Sequence, residues 1–182
     1  GVYVAKCGPT MMDDWEDMSG RKHKLPIVDY SPFLVADPES RGGKGSSGGP
    51  SLAVSDNGDI AVSYRGRGKN GKYDYVFSRA AGETTFTEHR GPINMGSFWG
   101  DRMYSAKLSR SGDITVRSIR PGDKEWRTEL ELSTGVRFGG AVSKLMNGHL
   151  IVIAEDRTNP NTDRNKIHCY GFRIGSRVAG QG

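Results

Sequence analysis

No stretch of this sequence is apolar for long enough to cross a bilayer as a helix, which takes about 20 residues. No membrane span is therefore expected. The charged, apolar and small-residue regions of a secretory leader are missing too, and the start at Gly1 reads as that of a processed or excised piece. Cysteine is scarce, with Cys7 and Cys169 alone near opposite ends. No Cys-x-x-Cys and no paired-histidine spacing occurs among His23, His89, His149 and His168, so neither a metal nor another cofactor is expected. Lys and Arg total 26 against 21 Asp and Glu, for a net charge of +5. The basic residues are scattered among acids rather than gathered in a block. That argues against nucleic acid and leaves acidic glycans as a fitting anionic partner.

Helical periodicity of useful length is absent as well, whereas glycine is abundant, at 26 of 182 residues. A mean hydropathy of -0.59 describes a turn-rich chain, and its length fits a single domain over 1–182. Residues 1–49 read as irregular. "GVYVAKC" alternates like a short strand, "TMMDDWEDM" suits one helical turn, and Pro26, Pro32 and Pro38 confine "LPIVDYSPFLVADP" to edge strand or extended loop.

From Pro50 to about residue 175 the pattern is far more regular. "SLAVS-DNG-DIAVSY", "YSAKLS-RSG-DITVRSI" and "GAVSKL-MNG-HLIVIAE" each place a glycine bend between two β-rich runs. An all-β fold follows, with three or four units of antiparallel strands. Blades of a β-propeller are the first reading, and a sandwich or barrel is the alternative. Ser78, Gly82 and Phe86 echo Ser118, Gly122 and Trp126 at the same internal spacing, 40 residues on. That distance is a propeller-blade period. The Ser-Gly bend at Ser111-Gly112 is out of phase with Asn57-Gly58 against these boxes, so the two bends are expected to join different strands of their units.

The boxes resemble the Asp-box turns of sialidase-like β-propellers, Ser-x-Asp-x-Gly-x-Thr-Trp. Ser and Gly match in both copies and Thr84 in the first, but Ala80 and Arg120 stand where the family has Asp. From Arg137 to Arg173 the chain resembles the opening blade of a sialidase. Arg137 precedes a strand, Asn147-Gly148 makes the turn, "IAEDR" supplies Glu155 and Arg157, and Asp163 lies in the loop beyond. The resemblance implies an arginine cluster for a sugar carboxylate and Asp163 as acid/base. Phe138-Gly139 replaces the family's Ile-Pro, and no tyrosine can be assigned as nucleophile. Ordinary surface ion pairing is the competing account of Arg137, Glu155 and Arg157.

"GKGSSGGP" resembles the nucleophile loop of a chymotrypsin-type protease around Ser47. Only 46 residues precede that serine, with His23 and Asp29 as its available partners, too little chain for the barrel such an enzyme needs. The segment reads as a bend before a strand.

The function expected is a glycan-binding recognition module, extracellular or on a virion surface. A sialidase-like hydrolase or its remnant, and a structural β-domain in an assembly, are the alternatives. Arg65, Arg67, Arg137, Glu155, Arg157 and Trp99 are the candidate ligand-binding residues, with Tyr64 and Trp126 as further stacking surfaces. A homo-oligomer would complete a partial ring. Pairing of the first strand with the last, joined by a Cys7–Cys169 disulfide, would close it instead.

Overall fold

The computed structural model describes residues 1–10, 14–37, 50–68, 71–90, 97–159 and 166–174, with backbone alone at 65–68, 71–74 and 90. The strands are β1 (Val2–Tyr3), β2 (Lys6–Cys7), β3 (Trp15–Glu16), β4 (Lys22–His23), β5 (Leu34–Ala36), β6 (Ser51–Val54), β7 (Ile60–Gly68) and β8 (Gly71–Arg79). They continue with β9 (Thr87–Arg90), β10 (Ser97–Trp99), β11 (Arg102–Leu108), β12 (Asp113–Ile119), β13 (Arg127–Ser133), β14 (Phe138–Met146), β15 (His149–Asp156) and β16 (Lys166–Arg173). Among the described residues there is no α-helix, only a 3₁₀ turn at Ser31–Phe33. The expected helical turn is corrected in part: Trp15–Glu16 is a strand, paired with Lys6–Cys7.

The chain is all-β, as its pattern requires. Strands β6–β9 and β10–β13 form two four-stranded meanders and β14–β16 a three-stranded one. Ahead of them stand the pair β1–β5 and the small sheet β2–β3–β4. The sheets stack face on face in chain order, because successive side chains of a strand point to opposite faces. Val62, Tyr64 and Phe77 pack against Val2, Val4 and Ala36 of the first layer. Their neighbours Ala61 and Val76 turn the other way, onto Met103 and Ile119. The far face of that third layer, with Tyr104, Ala106, Ile114 and Val116, meets Leu150, Val152 and Ala154 of the last. Ile114, Ile119, Val76 and Val152 are fully buried, each stabilising the stack by about 1.5–3 kcal/mol.

The turns repeat one device. In Ser55–Asp59 and Ser109–Asp113 the serine hydroxyl accepts the aspartate amide at 2.9 Å in both. The serine also bonds the aspartate carboxylate, at 3.1 and 2.9 Å. One turn joins β6 to β7 and the other β11 to β12, so the two bends do connect different strands of their sheets. Asp17–Arg21 is a third such turn, between β3 and β4, with Asp17 in the serine's place and its carboxylate accepting the Arg21 amide at 3.1 Å. The 40-residue echo is also real in three dimensions. Glu83 N–H donates to Ala80 O, and Asp123 N–H to Arg120 O, both at 3.1 Å. Phe86 then packs back onto the first interface and Trp126 onto the second.

Strands β6, β10 and β14, each the first of its meander, run side by side. The Trp99 indole at the end of β10 lies against Gly148, the turn at the end of β14. Ala61 and Met103, at the starts of β7 and β11, share one cluster. The first strands therefore end at one rim of the stack (here the back rim), and β14 begins at the other, the front rim. Gly112 lies on the front rim, where its carbonyl accepts the Thr134 amide at 3.1 Å.

The ring closure expected from the N-terminal run is corrected. β1 pairs with β5 and β2 with β3, while β16 has β15 as its partner. Cys7 and Cys169 are accordingly both free and exposed. The N-terminal run is drawn instead to the open face of the second layer, where Val2 and Val4 bury their side chains.

Candidate functional site

The front rim of the last sheet collects the polar residues of the C-terminal unit. β14 enters with a register irregularity between Phe138 and Ala141, so that Phe138 faces Asp156 and two glycines fill the bulge. The Arg157 amide donates to the Arg137 carbonyl at 2.7 Å. The Arg137 amide in turn donates to the Thr158 hydroxyl at 2.9 Å. These two bonds clamp the chain before β14 to the chain after β15, and both arginines are exposed.

Arg157 lays its side chain across Gly139, where any Cβ would collide with its Cγ, Cδ and Nε atoms. Only a glycine there lets Arg157 keep this pose. Nε of Arg157 donates to Glu155 at 3.2 Å, which orients the guanidinium while leaving it about 60% exposed. A planar donor held this way suits a carboxylate or sulfate oxygen pair.

On the opposite face of the same strand end sits Asp156. It accepts the Thr158 amide at 2.8 Å and pairs with His168 Nε2 at 3.2 Å. The Thr158 hydroxyl and amide, more than His168, hold the Asp156 carboxyl at about 2. His168 stacks on Tyr170, with ring centroids 6.2 Å apart, and Tyr170 meets Phe138 edge-on. The rim thus carries two arginines, two carboxylates, an imidazole and a phenol on one sheet end.

Of the residues expected from sequence, Arg137, Glu155 and Arg157 come together. The backbone of Arg65 and Arg67 runs toward the same rim, in the last part of β7, two layers away. Trp99 does not join them. It stands on the back rim, a full nine-residue strand from Arg137, and is 39% exposed. The stacking role expected of Tyr64 and Trp126 is corrected: Tyr64 is 3% exposed and stacked on Tyr75, and Trp126 packs between the second and third sheets. Asp163 and Ser47 lie outside the described residues.

Sequence reasoning missed His168, Tyr170 and Thr158. The period-2 pattern of "KIHCYGF" puts His168 and Tyr170 on one face, but nothing in it says which face. It also missed a buried pair between Ser78 and His89, bonded at 2.6 Å. Both are inaccessible, so this serine–histidine contact has no substrate access and ties β8 to β9 within the second layer. A cleft of about 530 Å³ opens between the first two layers, lined by Val4, Met18, Leu52, Val54 and Ile60 with Arg79 at its edge. Its walls are mostly aliphatic, with Lys6, Glu16 and Asp17 also lining it, and they carry no aromatic platform for a sugar ring. Among the described residues no group of His, Cys, Asp and Glu is placed to hold a metal ion.

No family model matches this sequence, and no curated protein matches it. A solved structure described as the polysaccharide lyase Uly1 is similar to it in fold, with a TM-score of 0.73 at 15% sequence identity. The similarity covers 95% of this chain and 39% of that one. The chain therefore spans about two fifths of the length of the structure it matches.

Proposed function

We propose that this chain is a glycan-binding module, built as part of a β-propeller, that grips an acidic sugar with the front rim of its last sheet. The observation that carries the reading is the Arg137–Arg157 clamp, with the Arg157 guanidinium laid over Gly139 and steered by Glu155. Two exposed guanidinium groups at one strand end offer paired donors to a carboxylate, and the surrounding carboxylates and Thr158 offer partners for hydroxyls. A fold shared with a carbohydrate-active protein supports the same substrate class. The test is calorimetric titration with a uronic-acid polymer and with its carboxyl-reduced form. Binding of the acidic polymer alone is expected, weakened about tenfold by Arg157→Ala or Arg137→Ala, a loss of about 1.4 kcal/mol each. Trp99→Ala, on the other rim, is expected to leave it unchanged. Equal binding of both polymers, or indifference to both arginine variants, overturns the reading.

A second reading is an enzyme acting on such a polymer, favoured by His168. Asp156 fixes one imidazole nitrogen and Tyr170 stacks on the ring, an arrangement suited to moving a proton on the face of the sheet opposite to Arg157. Its test is the ultraviolet absorbance of an unsaturated uronate product, or the release of reducing ends, lost in His168→Ala. A polymer that binds and stays intact would leave the recognition reading alone.

A further inference from the structure

The cleft between the first two layers lies inside the stack rather than at one of its ends. Val54, Ile60 and Arg79 are cross-strand neighbours along β6, β7 and β8, and so share one face of the second sheet. Leu52 stands on the same face, two residues from Val54 and opposite Val62. Val62 is 2% exposed in its cluster with Val2 and Val4, whereas Leu52 and Val54 are 57% and 58% exposed. The first layer therefore covers the middle of this face and leaves β6 to the cleft, with Met18 and Val4 on the opposite wall. The row across the three strands is aliphatic at one end and cationic at the other.

Among the described residues that line the cleft, every charge is answered except that of Arg79. Lys6 pairs with Glu16 at 3.3 Å. Asp17 accepts the Ser19 and Arg21 amides and the Ser19 hydroxyl, and pairs with His23, so both its oxygens are taken. Arg79 donates from Nη1 to the carbonyls of Met18, at 3.3 Å, and of Glu83. Its Nε is buried without a hydrogen-bond partner, and the guanidinium lies over the Phe86 ring, 6.0 Å from the centroid. Carbonyls and a ring fix the group in place, but among the described residues no carboxylate pairs with it. The volume of about 530 Å³ is that of a small-molecule site, and so is a lining of apolar side chains with few polar groups.

We propose that this cleft binds a medium-chain aliphatic carboxylic acid, its alkyl chain along Leu52, Val54 and Ile60 and its carboxylate at Arg79. An alkyl chain needs no hydrogen-bond partners, and the side chains of that row offer none. A carboxylate supplies the charge that the guanidinium lacks. An uncharged head leaves it unanswered, and a cationic head is repelled. The inference stands apart from the glycan reading, because none of these residues lies on β14–β16.

The test is calorimetric titration of the chain with sodium decanoate below its micellar concentration, beside decanol and decyltrimethylammonium. The Met18 methyl resonance, identified by Met18→Leu, reports where the probe sits. Decanoate is expected to bind once per chain and to shift that resonance. Decanol is expected to bind about tenfold more weakly, and the ammonium more weakly still. Leu52→Asp and Val54→Asp, both at exposed positions, are each expected to lower decanoate affinity about tenfold or more. Arg79→Met is expected to bring decanoate down to the affinity of decanol. Should that variant misfold by circular dichroism, the three head groups compared on the unaltered chain still decide. Equal binding of all three probes, an unmoved Met18 resonance, or indifference to both aspartate variants overturns the inference. So does a chain that leaves free decanoate unbound, whether or not it binds phosphatidylglycerol vesicles.

Discussion

Ser78 Oγ and His89 Nε2 share a 2.6 Å hydrogen bond across β8 and β9 of the second layer, and neither side chain reaches water. Ser118 repeats it 40 residues on, donating to Glu129 at 2.6 Å. The same strand positions thus tie the third strand to the fourth in both meanders, with different partners. Burial pushes His89 below 6.5 against the opposing pull of Asp123 and Glu88. The folded protein therefore stays neutral there while the unfolded chain takes up a proton. The His89 contribution is complete above 6.5 and is lost as pH falls below it. Urea midpoints measured from neutral to mildly acid pH are expected to decline, with a shallower decline in His89→Gln. Identical slopes for the two proteins would refute the assignment.

Ser78→Ala removes the partner and strands the imidazole nitrogen in an apolar interface. A loss of about 1–3 kcal/mol in unfolding free energy is expected, read from chemical denaturation at a pH where His89 is neutral.

Gly112 and Gly82 both adopt left-handed backbone, at φ +98° and +83°. A Cβ on Gly82 meets nothing within 4 Å, whereas one on Gly112 runs into the Val136 carbonyl and the Thr134 hydroxyl. Gly82→Ala is expected to cost about 1–2 kcal/mol from backbone strain alone. Gly112→Ala adds a backbone collision and should cost clearly more. Equal losses in a denaturation series would mean that the Ser109–Asp113 turn does not pack against the entry to β14.

Asp156 titrates at about 2 in the fold instead of 3.8. Its folded value is depressed, so its contribution is present above 3.8 and disappears as pH falls toward about 2. Asp156→Asn is expected to flatten acid unfolding across that interval and to leave stability at neutral pH lower. An unchanged acid profile would show that Thr158 does not hold the carboxylate.

Gly139→Ala tests the rim separately from the fold. Because the added methyl meets the flexible Arg157 side chain rather than backbone, the arginine swings away and stability changes little. Affinity for the uronic polymer is expected to fall about tenfold, as in Arg157→Ala. Unaltered affinity, with Arg157→Ala still impaired, would separate the arginine's charge from its placement over the glycine.

Local chemistry carried the fold a long way. Asn147 and Gly148 sit at φ 48° and 72°, the two-residue hairpin that Asn-Gly favours, and the alternation in "DIAVSY" and "DITVRSI" set which residues share a face. The five-residue turn at Asp17–Arg21 was hidden because Asp17 replaces the serine of its two counterparts and its strands are two residues long. The candidate site was legible only in part. Arg137, Glu155 and Arg157 stood out as residue types in a motif, while His168 and Tyr170 read as members of an alternating strand.

The sequence by itself determined where the chain bends and which side chains alternate, since both depend on φ preferences and period within a few neighbouring residues. Only the tertiary structure decided that Trp99 belongs to one rim and Arg137 to the other, that Val2 and Val4 cover the second sheet rather than the last, and that Cys7 and Cys169 stay apart. Those outcomes rest on how stacked sheets share apolar faces, a sum of contacts between residues far apart in the chain, which no local pattern encodes.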